Sequence, residues 1–163
     1  MTRFFIDTEF VDDGKTIELI SIGIVSHDGR EYYAQSAEFL QYGTPTPWLL
    51  EHVIPHLDNE WTERATIRDE VKAFMDPEKY GKPEIWAWCG SYDHIALCQL
   101  FGTMMDIPAG WPYSIHDIQN VLDDREISDD QLPRQEGNAH NALEDAQHIK
   151  KLWGYIARND CWQ

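Results

Sequence analysis

Residues 17–25 (I-E-L-I-S-I-G-I-V) are apolar nearly throughout, and this run constrains the fold more than any other stretch. A strand with one wet face alternates apolar and polar residues; a strand without that alternation is covered on both faces. Covering both faces of a sheet takes helices on each side, which is the α/β arrangement. Asp12-Asp13-Gly14-Lys15 ahead of the run is a turn by composition. His27-Asp28-Gly29-Arg30 behind it carries the Asp-Gly signal of a hairpin, and 31–36 (E-Y-Y-A-Q-S) reads as the return strand. The chain is therefore expected to open with a three-stranded antiparallel meander that starts at Phe4.

The remaining spacing predicts helices around the sheet. A short helix over 48–52 follows Pro47, a residue suited to a first helical position. A second over 66–75 has Ile67, Val71 and Phe74 spaced four and three apart, and Asp76-Pro77 ends it. Strand 84–88 is reached through that helix, so it is expected to run parallel to the first strand. A mostly apolar helix over 92–101 follows, with Ser91 as its N-cap. Residues 115–122 form a short helix, and 123–137, acidic and containing Pro133, read as a mobile surface loop. The last helix covers 142–157, where Ala142, Ala146, Ile149, Trp153 and Ile156 make a clean helical stripe. The expected fold is α/β, a mixed central sheet flanked by helices.

Composition narrows the setting. A length of 163 residues suits one domain spanning 1–163. A hydrophobic fraction of 42%, with seven Trp, seven Tyr and six Phe, is globular rather than disordered. Cys89, Cys98 and Cys161 are odd in number and form no C-x-x-C pair, so no disulfide framework or zinc knuckle is implied and a reducing cytoplasm is expected. No basic N-terminal region precedes an apolar run, and no stretch approaches about 20 apolar residues, so neither a signal peptide nor a membrane span is expected. The net charge of −16 repels phosphate backbones at long range and argues against a basic face gripping long duplexes. A small metal-loaded pocket stays open, because bound cations invert the local field.

Acids stand where amphipathic logic does not place them. In Phe4-Phe5-Ile6-Asp7-Thr8-Glu9-Phe10, Asp7 and Glu9 are two apart on an apolar strand and project from one face. Charges in that place are costly unless something offsets them, and a divalent cation taking carboxylate oxygens does so. The alternative is a strand ending in a solvated acidic loop. Asp93 lies on the apolar face of its helix, three before Ala96, four before Leu97 and seven before Leu100; a first-turn Asp can also simply favour the helix dipole. Asp145 borders the last stripe, three after Ala142 and four before Ile149. Asn141-x-x-Glu144 resembles a capping box that starts this helix at Ala142. His140 is then just outside, on a flexible approach from Gly137, able to swing over a site without being a metal ligand; the alternative is a surface histidine.

Taken in order, Asp7-Thr8-Glu9, Tyr92-Asp93 and His140-Asn141-Ala142-Leu143-Glu144-Asp145 resemble the three motifs of the DEDDh 3′–5′ exonucleases, the DnaQ-like or RNase T-like branch of the ribonuclease H-like fold. Within that group the chain is most similar to the compact mycobacterial-type 3′–5′ exoribonucleases, through D-T-E-F, T-I-E-L-I-S-I-G, G-R-E-Y-Y-A and W-A-W-C-G-S-Y-D-H-I-A-L-C-Q-L. The broader family often has an Asn a few residues before the second-motif Asp, where this chain has Trp88-Cys89-Gly90-Ser91.

The resemblance implies a three-layer ribonuclease H-like fold and hydrolysis of RNA from its 3′ end, on 3′ overhangs or short single strands, with release of nucleoside 5′-monophosphates. It implies that Asp7, Glu9, Asp93 and Asp145 hold two Mg²⁺ or Mn²⁺, with Asp7 central, and that His140 is the general base. It also implies a homodimer. Phe10 and Tyr92 flank the acids and either stack on the terminal nucleotide or belong to the core; Trp48 and Trp88 are read as core. A DNA exonuclease of the same fold and a non-catalytic nucleotide-binding module are the alternatives.

Overall fold

In a computed structural model that describes residues 1–42 and 44–159, the apolar run lies in the middle of a six-stranded mixed sheet. The strands are β1 (Thr2–Asp12), β2 (Ile17–Ser26), β3 (Glu31–Ser36), β4 (Trp61–Thr62), β5 (Pro83–Ala87) and β6 (His116–Asp117), in spatial order β4-β3-β2-β1-β5-β6. The antiparallel meander β1-β2-β3 is present, and β5 runs parallel to β1 as the intervening helix requires. Two-residue strands β4 and β6 add parallel edges.

The helices are α1 (Phe39–Tyr42), α2 (Pro47–His52), α3 (Arg64–Phe74), α4 (Pro77–Tyr80), α5 (Ser91–Phe101), α6 (Ile118–Asp124) and α7 (Ala142–Asn159). Alternation along β1 sends side chains to two cores. Phe4 and Ile6 join Ile67 and Val71 of α3 and Leu97 of α5 on one face. Phe5 joins Ile118 of α6 and Ile149 and Leu152 of α7 on the other. Both faces are therefore sealed, as the unbroken apolar run demands: Leu19, Ile20, Ile22, Ile24 and Val25 are all buried. The result is an α/β fold of three layers, consistent with the ribonuclease H-like arrangement. No helix among the described residues is long and apolar enough to cross a membrane.

One contact in this scaffold decides where the site can form. Across the β1–β2 ladder Asp7 faces Gly23 and Glu9 faces Ser21, so the two acids stand beside the smallest side chains of β2. A Cβ on Gly23 would lie 2.2 Å from the Ala142 carbonyl oxygen and 2.5 Å from Leu143 N. The missing side chain thus lets the first turn of α7 rest on the sheet next to Asp7. Gly23→Ala is expected to force that backbone away. Overpacking of this kind costs about 1–3 kcal/mol or more, which for a chain of this size lowers Tm by about 5 °C. A melting curve checks it, and the first turn of α7, which carries Asp145, should shift with the backbone.

Several expectations are corrected. The helix expected over 115–122 begins at Ile118, because His116–Asp117 pairs with β5 as an edge strand too short to show periodicity. Ser91 is the first residue of α5, not its cap; Gly90 takes the cap position and makes no side-chain bond. Residues 123–137 are not a featureless loop: Ile127 and Leu132 pack on the second core, Asp129–Gln131 make a 3-10 turn, and Gln135 reaches an acid of the site. Trp48 is 49% exposed, not core, since Leu49 is the residue of α2 that turns inward. Cys89 and Cys98 are free thiols, and Cys161 lies outside the described residues.

Candidate active site

A cleft of about 540 Å³ opens at the C-terminal ends of β1 and β5, lined among others by Asp7, Glu9, Asp93, His140 and Asp145. Open α/β sheets bind ligands at that edge. The strand β1 supplies Asp7 and Glu9, the first turn of α5 supplies Asp93, and the first turn of α7 supplies Asp145. All four acids and the histidine singled out in the sequence are thus brought together.

Each is held by its surroundings. Asp93, 6% exposed, accepts through one oxygen from Thr8 N at 2.8 Å and Thr8 Oγ1 at 2.6 Å, which ties α5 to the strand between Asp7 and Glu9. Asp145 accepts from His140 N at 2.9 Å and from the Gln135 amide. Asn141 caps α7, its side chain accepting from Leu143 N and Glu144 N at 3.1 Å. The other half of the expected capping box is absent, because the Glu144 carboxylate accepts from Asn138 N instead. His140 adopts a left-handed backbone (φ 68°) that turns its N–H onto Asp145. Its ring meets Trp48 edge-on at 4.8 Å and His52 at 5.9 Å. The ring of His140 thus rests against Trp48 and His52 at the edge of the cleft. Glu9, His140 and Asp145 each offer a ligand atom within 4.8 Å of the others.

Phe10 and Tyr92 also meet, stacked at 5.4 Å and 11° on the cleft wall, with Tyr92 47% exposed. Trp88 lines the cleft and stacks on His148 at 6.3 Å. The sequence reading missed Gln135, Cys89 and His148, all of which line the cleft. His148 had a signal, since it sits three after Asp145 on the same helix face; Gln135 had none.

The electrostatics are those of a crowded acidic pocket. Burial, then Asp93, Asp145 and Glu9, push the Asp7 carboxyl well above the usual carboxylate range. Burial, then Asp145 and Asp93, push Glu9 up to about 8. Burial raises Asp93 to about 6 against the opposing pull of Thr8, and raises Asp145 against Gln135 and His140. Among the described residues no ion pair involves these acids. Oxygen donors crowded at a cost, with no Lys or Arg to offset them, fit hard divalent cations.

This has a consequence for the metal-free protein. Glu9 loses its proton near 4.5 in an unfolded chain but near 8 in the fold, so the folded state binds the extra proton and stability is lost as pH rises through that window. In EDTA, Tm is expected to fall between about pH 5 and pH 8, and Mg²⁺ or Mn²⁺ to restore it. Glu9→Gln should flatten the fall. A Tm that is level across that range in EDTA would contradict it.

Fold and cleft define an α/β protein with a buried acidic site. The sequence profile described as the 3′-5′ exoribonuclease Rv2179c-like domain matches residues 2–157. Two Mycobacterium tuberculosis proteins, 3′-5′ exoribonuclease Rv2179c of strain ATCC 25618 / H37Rv and 3′-5′ exoribonuclease MT2234.1 of strain CDC 1551 / Oshkosh, are each 40% identical over 162 residues, covering 97% of this chain and 95% of theirs. The chain belongs to the Rv2179c-like 3′-5′ exoribonuclease family, and it is an enzyme of the exonuclease class.

Proposed function

We propose that the protein is a metal-dependent DEDDh 3′–5′ exoribonuclease, a single domain that trims RNA 3′ ends to nucleoside 5′-monophosphates with two Mg²⁺ or Mn²⁺ and a histidine base. The observation that carries this reading is the convergence of Asp7, Glu9, Asp93 and Asp145 in one cleft, their carboxyls raised chiefly by burial and, among the described residues, none of them paired with a Lys or Arg. Held by these four acids, two such cations would lower the pKa of the attacking water and would offset the charge that develops during cleavage.

The chain's own residues do the rest. Asp7, which lies close enough to Asp93, Asp145 and Glu9 to feel all three charges, would be the acid placed to hold both cations. Thr8 fixes the Asp93 oxygen and Gln135 fixes the Asp145 oxygen, so the donors are set before substrate arrives. His140, seated against Trp48 and tied to Asp145 through its backbone, takes the proton of the water. The Phe10–Tyr92 stack offers a face to the terminal base, a contact worth about 1–3 kcal/mol per base and indifferent to sequence. RNA as substrate is favoured by the names of the relatives. Exposed Ile95, Met104, Met105 and Tyr113 on and after α5 support a homodimer, and the free thiols support a cytoplasmic setting.

A second role for His140 has an observation behind it: its ring lies within ligand range of Glu9 and Asp145, as for a third ligand. The two roles separate in the His140→Ala variant, where loss of a base leaves cation affinity intact and loss of a ligand does not.

The test is digestion of a 5′-labelled RNA with a 3′ overhang, beside its DNA twin, in Mg²⁺, Mn²⁺ or EDTA. A ladder shortening from the 3′ end, dependent on metal and faster on RNA, is expected. Faster loss of DNA would move the substrate to DNA, and fragments cut from the interior or produced in EDTA would overturn the reading.

A further inference from the structure

We infer that Asp117 is a positioning residue of this site: from the edge strand β6 it holds the turn that delivers Asp93, and through it the grip on the divalent cation. The inference rests on the reading of Asp93 as a metal ligand.

Between the end of β5 at Ala87 and the start of α5 at Ser91, the chain must turn sharply enough to aim Asp93 at the cleft. Cys89 does so with φ 52°, a left-handed conformation disfavoured for a residue with a side chain. Gly90 is pressed against the sheet: a Cβ there would come within 2.5 Å of both Ala87 Cβ and Ile115 Cδ1. The N–H groups at the start of a helix need acceptors, and α5 has no side-chain cap of its own. Asp117, on the neighbouring strand, takes the two N–H groups of the turn itself, at Cys89 and at the cap residue Gly90. Its Oδ1 accepts from Cys89 N at 3.0 Å and its Oδ2 from Gly90 N at 2.9 Å. Its Oδ1 also accepts from Gln119 N at 2.9 Å and so caps α6. One carboxylate therefore joins the strained turn before α5 to the start of α6. Asp93 is held from two directions, by Thr8 on its oxygen and by Asp117 on the turn behind it. Partners one step behind a ligand of this kind typically contribute 10–100-fold in metal affinity or activity.

Two substitutions separate this role from general stability. Asp117→Ser keeps an oxygen that can cap α6, since Ser and Asp rank together at that position, but its single short hydroxyl cannot span Cys89 N and Gly90 N. Asp117→Asn keeps the size and one acceptor, and sets an amide N–H against one backbone N–H. The experiment measures Mn²⁺ affinity by calorimetry, kcat and KM on a short RNA, and Tm, for both variants, with Asp93→Asn alongside. About 10–100-fold weaker Mn²⁺ binding is expected in Asp117→Ser, with kcat lowered at limiting Mn²⁺ and recovered in excess, and KM for RNA unchanged. Asp117→Asn should fall between it and wild type, and it carries the same test if the Ser variant does not fold. Wild-type Mn²⁺ affinity and turnover in a folded variant would overturn the inference, as would a loss confined to KM. If Asp93→Asn itself binds Mn²⁺ and turns over like wild type, the reading of Asp93 as a ligand fails first and this inference falls with it. An inactive Asp93→Asn beside a fully active Asp117→Ser would overturn the inference alone.

Discussion

Asp7→Asn is expected to reduce turnover by more than about 100-fold, because that is already the upper cost of disturbing a group one step behind a metal ligand, and the proposed function makes Asp7 a ligand itself. The same variant should be the more stable protein without metal. In the fold the Asp7 carboxyl is raised well above its usual range by burial and by Asp93, Asp145 and Glu9, so its ionisation above the ordinary carboxylate range works against folding. Tm in EDTA at about pH 8 should therefore be higher in the variant than in wild type. Added Mn²⁺ should reverse the order, raising wild type and leaving the variant little changed. A variant that is inactive and also less stable in EDTA would indicate a structural role for Asp7 instead.

His140→Ala is the second large effect. Removing a general base typically costs about 10²–10⁴-fold, and the fold should tolerate it. The contact of His140 with Asp145 runs through the backbone N–H, which alanine retains, although its left-handed backbone (φ 68°) makes His140→Asn a useful companion, Asn being at home in that region. Full activity in both variants would remove His140 from the mechanism. Weakened Mn²⁺ binding would assign it as a ligand.

Much of this site was legible because the charges violate the pattern around them. Asp7 and Glu9 continue the face that holds Phe5, and Asp93 replaces an apolar residue facing the core, so each stood out where a hydrophobic residue belonged. The apolar run of β2 implied a sheet covered on both faces, and the meander and the parallel β5 followed from turn chemistry and crossover length. What was not legible came from contacts distant in sequence. The strands β4 and β6 are two residues long and carry no periodicity. Asp117 reads as an ordinary residue until β6 sets it beside Cys89 and Gly90. Gln135 belongs to a stretch without regular spacing, yet its amide reaches Asp145. Trp48 reads as core because an apolar neighbour in a short helix gives no periodicity to choose the inward side; Leu49 turns in instead and Trp48 is left outside, against His140.

The central claim is that four carboxylates gathered at a cost are a site for divalent cations that the reaction requires. Calorimetric titration of Mn²⁺ into the metal-free protein, with RNA digestion followed in the same buffers, tests it most directly. The account predicts two Mn²⁺ per chain in wild type, loss of at least one in Asp7→Asn, and digestion that rises only as the sites fill. An absence of Mn²⁺ binding, with RNA shortened equally well in EDTA, would contradict it.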